Sequence, residues 1–310
     1  MILAGDIGGT KVNLALFDGR TRITEKRYES RDFSSIEKVL DDFLKNNDSK
    51  VEKACFGVAG RVIDGKCQLT NLSWQVEAER LRENLGVDAV WLINDLAAMA
   101  YAIPLLGSES FEIIQAGTPV NEARISVVSA GTGLGQAFLV PEKNGKYIVM
   151  DSEGGHCDFS PRNELEAELL FFLQKKYSRV SIERVLSGSG LLDIYGFFKT
   201  AEHEIVDSPA TIVERALAKT SPVCEKTIKL FISLYGALAG NLALQYLSDG
   251  GVYLGGGIAP KIVPLLQEGE FMEAFLSKGR FEKYLLETPV KVVMDEYAPL
   301  LGAAQYALVS

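Results

Sequence analysis

The sequence predicts an α/β protein of two lobes, on three observations. The chain has 310 residues, more than one average domain holds, and 47% of them are apolar, enough for two cores. An arrangement of apolar strand, Gly/Thr turn and apolar strand occurs at 2–17 (ILAGDIGGTKVNLALF) and again at 125–140 (ISVVSAGTGLGQAFLV), which points to a duplicated unit. Strand-like runs alternate with segments of helical period between and after these hairpins, as in open α/β sheets.

Charge and cysteine usage narrow the class. Forty-one acidic against 32 basic residues give a net charge of −9 without a Lys/Arg-rich run, which argues against a nucleic-acid or anionic-membrane partner and for small ligands. The cysteines at 55, 67, 157 and 224 form no C-x-x-C pair, and only His156 and His203 could join them, so no structural zinc is expected. The N-terminus lacks a basic segment and carries Asp6 and Lys11, and no unbroken apolar run approaches the 18 or so residues of a membrane span. A cytosolic protein with reduced thiols is the expectation.

In the first hairpin, Asp6-Ile7-Gly8-Gly9-Thr10 is the turn. It can be an ordinary β-turn, or its glycines and Thr hydroxyl can hold terminal phosphates, with Asp6 at the strand end holding a hydrated Mg²⁺. Residues 34–46 carry apolar side chains at 36, 39, 40, 43 and 44 and form an amphipathic helix. Residues 54–71 give a strand, a Gly-rich bend and a short return strand. The strand Ala89–Ile93 then delivers Asn94 and Asp95 to its carboxyl end, where open α/β sheets place ligands. One of the two can cap the helix that begins there while the other faces a substrate.

The second hairpin carries Gly131-Thr132-Gly133-Leu134-Gly135, whose glycines permit positive φ and whose successive N–H groups can face an anion. Glu153-Gly154-Gly155-His156 lies within one hairpin's reach of it. A phosphate site beside a polyol site reads as a kinase of a small hydroxylated substrate. Neither turn is a Walker A loop or a dinucleotide fingerprint, because no G-x-x-x-x-G-K-[ST] occurs and no G-x-G-x-x-G opens a helix.

Further on, 163–177 is a helix with an acidic start and a basic end. Residues 180–190 start a short helix with Ser181 as cap and end at a Gly-rich break; Glu183 is a first-turn carboxylate or a ligand. Residues 208–218 and 223–247 are helical, and the second is a buried core helix whose Gly236 and Gly240 permit close packing. Residues 250–262 form a strand, the triple glycine Gly255–Gly257 and a helix begun by Pro260; so bare a backbone can pass beside an adenine or its ribose, or simply turn tightly. A last strand (VKVVMD) and a closing helix (PLLGAAQYALVS) follow. The expected lobes are 1–110 with 297–310, and 111–296, with chain crossings near 105–120 and 294–299.

Taken in order, GDIGGTK, CFGVAG, INDL, GTGLG, SEGGHCDFSPR, IERVLSG and GGVYLGGGIAPKI resemble the bacterial glucokinase family of the actin-like ATPase superfamily, over nearly the whole chain. The resemblance implies a ribonuclease H-like fold of two α/β lobes with the active site in the cleft between them. It implies ATP with Mg²⁺ as donor, glucose as acceptor in the first step of glycolysis, and often a homodimer. Carried over by motif, Asp95 is the general base, and Asn94, Glu153, His156 and Glu183 bind sugar hydroxyls. Gly8, Gly9, Thr10 and Lys11 with Gly131, Thr132 and Gly133 hold phosphate, and Gly255, Gly256 and Gly257 lie near adenosine. Lys11 stands where many relatives have Asn. The zinc-binding Cys/His cluster and helix-turn-helix of the related repressor and sugar-kinase group are missing from the sequence.

The chemistry agrees with these roles. Transfer to an alcohol needs a base at the hydroxyl and charge neutralisation by Mg²⁺ and backbone N–H groups, and ionised carboxylates make strong bonds to sugar hydroxyls. Kinases of fructose, mannose or N-acetylated sugars are close alternatives. An actin-like filament or chaperone ATPase would have no use for Glu-Gly-Gly-His, and a non-catalytic sugar sensor could dispense with Asp95.

Overall fold

The computed structural model describes residues 1–310 except 46, 48, 49, 70, 71, 73, 144 and 201–205. Its chain forms two compact units, Met1–Ser108 with Asp295–Ser310, and Glu109–Met294. Asn46 and Asn71, the expected ends of a helix and a strand, and His203 lie outside the described residues.

The first unit contains β1 (Ile2–Ile7), β2 (Lys11–Asp18), β3 (Thr21–Glu29), α1 (Ile36–Leu44), β4 (Lys53–Val58), β5 (Lys66–Gln68), β6 (Gln75–Glu77), α2 (Ala78–Leu85), β7 (Ala89–Asn94) and α3 (Asp95–Ala102). The second contains β8 (Phe111–Gln115), β9 (Ile125–Ala130), β10 (Leu134–Pro141), β11 (Tyr147–Ser152), α4 (Glu164–Gln174), α5 (Gly188–Phe198), α6 (Pro209–Leu217), α7 (Pro222–Tyr246), β12 (Gly251–Gly255), α8 (Val263–Leu266), α9 (Glu270–Leu276), α10 (Glu282–Glu287) and β13 (Val290–Val293). The chain then returns to the first unit as α11 (Ala298–Val309).

The duplication is visible in strand order. The first sheet runs β3-β2-β1-β4-β7 and the second β11-β10-β9-β12-β13, with β8 added at its edge. In both, a hairpin is antiparallel to its neighbour and the next two strands are parallel. The two units thus repeat one strand order, as the duplicated hairpins predict.

In the first unit the period of two along each strand separates two apolar layers. Leu3, Leu14 and Phe56 face Ile36, Val39, Leu40 and Phe43 of α1, while Ala4, Ala15 and Cys55 face Leu300, Ala303 and Ala304 of α11. Strands buried on both faces read as continuous apolar runs, as β1 and β4 do. In the second unit α7 begins at Pro222 behind an Ser221 cap, and its Gly236 and Gly240 meet the backbone of Phe271 and Phe275 in α9. By length and composition α7 could cross a membrane, yet 78% of its apolar window is buried inside the protein.

Three local expectations change. The short strand after β4 does not return to it; β5 pairs with β6 as a separate two-stranded ribbon. The Ser-Gly-Ser-Gly stretch is not a break but the start of α5, capped by the Ser187 hydroxyl, which accepts from Gly190 N–H at 3.1 Å. Two glycines in a first turn lower helix propensity and conceal such a start. Ser181 does precede a helical turn, Ile182–Arg184, but its side chain makes no capping bond.

Helix α3 packs closely on α11. A methyl group at Gly302 would overlap the Ala98 carbonyl oxygen of α3 and crowd Ala102 N at 3.0 Å, so the two helices touch backbone to backbone. Gly302→Ala therefore lowers stability by about 1–3 kcal/mol through overpacking. Gly196→Ala, in α5 with its nearest neighbour Phe172 at 3.9 Å, is neutral or stabilising by about 0.5–1 kcal/mol. Urea titration of both variants checks the opposite signs, and a Gly302→Ala protein as stable as the parent would show that α3 and α11 are free to separate.

Candidate active site

The parallel strands β1, β4 and β7 end side by side, with Ile7 opposite Val58 and Val58 opposite Asn94. The Gly8–Thr10 turn and the Asn94–Asp95 step therefore share one edge of the first sheet. Asp6 sits in register with Asn13, and Asn13 with Arg27, across three strands. Asn13 Nδ2 donates to Asp6 Oδ2 at 3.2 Å, and Arg27 Nε donates to Asn13 Oδ1 at 2.8 Å. Arg27 Nη2 also donates to Glu296 Oε2 at 2.6 Å. Burial raises the Asp6 carboxyl above the ordinary carboxylate range, opposed by the Asn13 bond and the Arg27 charge. Neither Asn13 nor Arg27 was expected from the sequence, although the hairpin register alone places Asn13 beside Asp6.

The turn itself is braced through its carbonyls. Gly8 N–H donates to Lys11 O at 2.9 Å, Ser30 N–H to Thr10 O at 2.9 Å and the Ser30 hydroxyl to Gly8 O at 3.1 Å. Lys11 is exposed. At the end of β7, Asn94 is the N-cap of α3, its Oδ1 accepting from Leu96 N–H at 2.9 Å and Ala97 N–H at 3.3 Å. Asp95 Oδ1 also accepts from Leu96 N–H, at 2.9 Å. Capping thus occupies the Asn94 oxygen, and its Nδ2 group, 3.4 Å from Gly60 O, is the part left to meet a ligand.

In the second unit the structure brings Glu153, His156 and Glu183 together. His156 Nε2 lies 3.8 Å from Glu153 Oε2 and its Nδ1 lies 3.9 Å from Glu183 Oε1. These distances exceed hydrogen-bond length, so polar groups face one another without bonding. His156 and Glu153 are exposed and Glu183 is half-buried. Backbone pairing sets this up: Ile182 N–H donates to Cys157 O at 2.9 Å and Phe159 N–H to Val180 O at 3.0 Å, tying the His156 segment to the Glu183 segment.

Glu183 also reaches the glycine turn, where its Oε2 accepts from Leu134 N–H at 3.0 Å. Gly131 N–H closes onto Gly133 O at 2.9 Å. Thr132 and Gly133 are left with the N–H groups that make no hydrogen bond among the described residues, so two rather than three donors of this turn suit an anion. Positive φ is not what its glycines supply, since neither Gly131 nor Gly133 adopts it.

Two neighbours complete this edge. Gly256 has φ +82, and a side chain there would collide with the Ala130 carbonyl, so the triple glycine packs directly on the end of β9. Gly188, the first residue of α5, donates its N–H to Gly131 O at 2.8 Å. The positive end of α5 thereby abuts the turn and favours an anion there. The signal for it was Ser187 three residues before Gly190, the spacing of an N-cap.

A magnesium ion suits Asp6 in one manner. Among the described residues no group of three or more His, Cys, Asp or Glu side chains could grip a metal. Mg²⁺ is commonly held by one or two carboxylates with water and substrate phosphates, and a desolvated carboxylate beside a glycine turn fits that mode.

The glucokinase family model matches residues 3–309. A glucokinase of Nostoc punctiforme is 42% identical over 334 aligned positions, covering 98% of each chain. The crystal structure of a glucokinase from an Antarctic psychrotroph superposes with a TM-score of 0.88 at 34% identity, covering 100% of this chain and 99% of that one. A glucokinase from Balamuthia mandrillaris, solved in complex with glucose, shares the fold with a TM-score of 0.83 at 22% identity over 99% of this chain and 93% of its own. With a match that runs almost from end to end and two duplicated units that carry its motifs on their strand ends, this chain belongs to the glucokinase family.

Proposed function

We propose that the chain acts as a glucokinase, transferring the γ-phosphoryl group of ATP to glucose, with the following division of labour. Asp95 is the general base for the sugar hydroxyl. Asn94 through Nδ2, and Glu153, His156 and Glu183, hold the other hydroxyls. The unspent N–H groups of the two glycine turns receive phosphate oxygens, and Gly255–Gly257 pass beside adenosine. Asp6 holds Mg²⁺ through water; the ion, when bound, neutralises charge on the transferring phosphoryl group. The observation that carries this reading is the convergence of Glu153, His156 and Glu183 within 4 Å contacts, with Glu183 bonded to the phosphate turn. Four unpaired cysteines, three of them buried, fit action in a reducing cytoplasm.

The chemistry asks little covalent work of the protein. A carboxylate near the hydroxyl accepts its proton as the phosphorus–oxygen bond forms, and fixed N–H donors stabilise charge without reorganising. Paired carboxylates also discriminate among sugars, because an epimer that fails to reach Glu153 or Glu183 leaves a charged acceptor unmatched.

Asp95→Asn keeps an acceptor for Leu96 N–H but loses the base. It lowers kcat by about 10²–10⁴-fold with little change in glucose affinity. Turnover by coupled ADP release together with glucose calorimetry checks this, and near-normal turnover would remove Asp95 as base.

Chelation by EDTA abolishes turnover, and Mn²⁺ partly restores it. The same assignment makes a stability prediction. Because burial raises the Asp6 pKa, the folded chain holds that proton more tightly than the unfolded chain. Its contribution is full below the unfolded pKa and is lost as pH rises through the folded value, so at neutral pH the ionised Asp6 costs stability. Asp6→Asn accordingly raises the melting midpoint at pH 7 while raising the Mg²⁺ concentration needed for turnover. A lower midpoint, or an unchanged metal requirement, would contradict the assignment.

A further inference from the structure

We infer that Glu183, beyond its reading as a sugar ligand, is the positioning residue of the phosphate turn, and that this one carboxylate makes sugar and nucleotide binding mutually reinforcing. The coupling rests on the sugar reading; the brace on the turn rests on geometry alone.

The geometry gives each carboxylate oxygen a separate task. Oε2 accepts from Leu134 N–H at 3.0 Å, while Oε1 faces His156 Nδ1 at 3.9 Å. The turn leaves room for that oxygen only because residue 133 lacks a side chain; a methyl group on Gly133 would lie 2.7 Å from it. With Leu134 N–H held by Glu183 and Gly131 N–H held by Gly133 O, both ends of the turn are fixed, and the Thr132 and Gly133 donors between them make no hydrogen bond among the described residues.

Glu183 is itself supported from behind. The Arg184 guanidinium lies over the Tyr177 ring, 4.3 Å from its centroid, and the Tyr177 hydroxyl donates to buried Asp193 at 2.7 Å. Leu186 N–H donates to Ile182 O at 2.9 Å and closes the helical turn that carries Glu183. The carboxylate therefore has a fixed base and two directed oxygens.

The sign of the coupling follows from charge. An anion bracing an anion-binding turn repels phosphate as well as ordering the donors for it. A sugar hydroxyl that donates to Oε1 withdraws charge from the carboxylate and pins its orientation, which relieves the repulsion and keeps the order. Nucleotide then binds more tightly with sugar present, and by linkage sugar binds more tightly with nucleotide present.

The test is calorimetry of a non-hydrolysable ATP analogue with excess Mg²⁺, first without sugar and then with saturating glucose. For the wild-type protein glucose tightens nucleotide binding by about 5-fold or more. Glu183→Ala weakens nucleotide binding about 10-fold even without sugar, because Leu134 N–H loses a charged acceptor. Glu183→Gln keeps a carbonyl for Leu134 N–H; its sugar-free nucleotide affinity stays within about 3-fold of the parent, while glucose affinity and the cross-effect fall. Unchanged sugar-free nucleotide affinity in Glu183→Ala would overturn the brace. If nucleotide affinity falls in Glu183→Ala but glucose affinity survives in both variants, the brace stands and the sugar reading of Glu183, with the coupling built on it, is refuted. A second measurement needs no variant: by NMR, the Leu134 amide of the wild-type protein exchanges more slowly than those of Thr132 and Gly133, and equal exchange of all three would overturn the brace.

Discussion

Parallel pairing is the constraint on which the rest depends. Once β4 lies parallel to β1, and β7 to β4, the chain must cross over the sheet between strands, and the carboxyl ends gather along one edge. The second sheet repeats this with β9, β12 and β13. Side chains and turns that sequence scatters widely, such as Asp6 and Asp95, thereby share an edge. No long loop has to reach across to deliver them. The hairpin preceding each parallel pair adds a tight turn at that edge, and such a turn supplies N–H groups that the sheet does not use.

The edge of the first sheet is where the protein accepts energetic cost. Asp6 is desolvated and only partly compensated by Asn13 and Arg27. Glu153, His156 and Glu183 stand near one another without hydrogen bonds between them. The desolvated Asp6 would be better satisfied in water, and the apolar layers on both sides of the first sheet supply the stability that holds it there. Glycines at 256 and 302 contribute by letting backbone lie on backbone, so that turns and helix ends are located by contact with atoms that cannot rotate away.

Much of the architecture was legible because burial on both strand faces writes long apolar runs. Both glycine hairpins are of this kind, and the apolar runs of β7, with Asn94 and Asp95 at its end, and of the core helix α7 were legible as well. What escaped notice has the opposite character. The edge strand β3, TRITEKRYE, is charged and largely exposed, as unpaired edges tend to be, and so lacks the alternation that marks a strand. Helix α5 hides behind two glycines, and β8 carries no fully buried position. At the site, the residue types were legible and their partners were not. Glu183 is an unremarkable first-turn carboxylate in the linear chain; only the pairing of 157–159 with 180–182 brings it to the turn at 134. Asn13 and Arg27 were concealed because polar residues in a hairpin read as solvent-facing unless the register with Asp6 is followed.

The cap of α3 bears on how this fold can age and be altered. Asn and Asp terminate helices almost equally well, since either oxygen accepts the first free N–H groups. Helix stability therefore does not explain why position 94 holds an amide. An aspartate there would cap just as firmly while setting a second negative charge beside Asp95 and removing the only donor the side chain can offer a hydroxyl. The loss of one amide nitrogen by slow hydrolysis makes that exchange. A chain altered in this way would keep the cap of α3 and lose the donor at position 94, so the helix would still begin at the same residue while the group offered to a hydroxyl had changed sign.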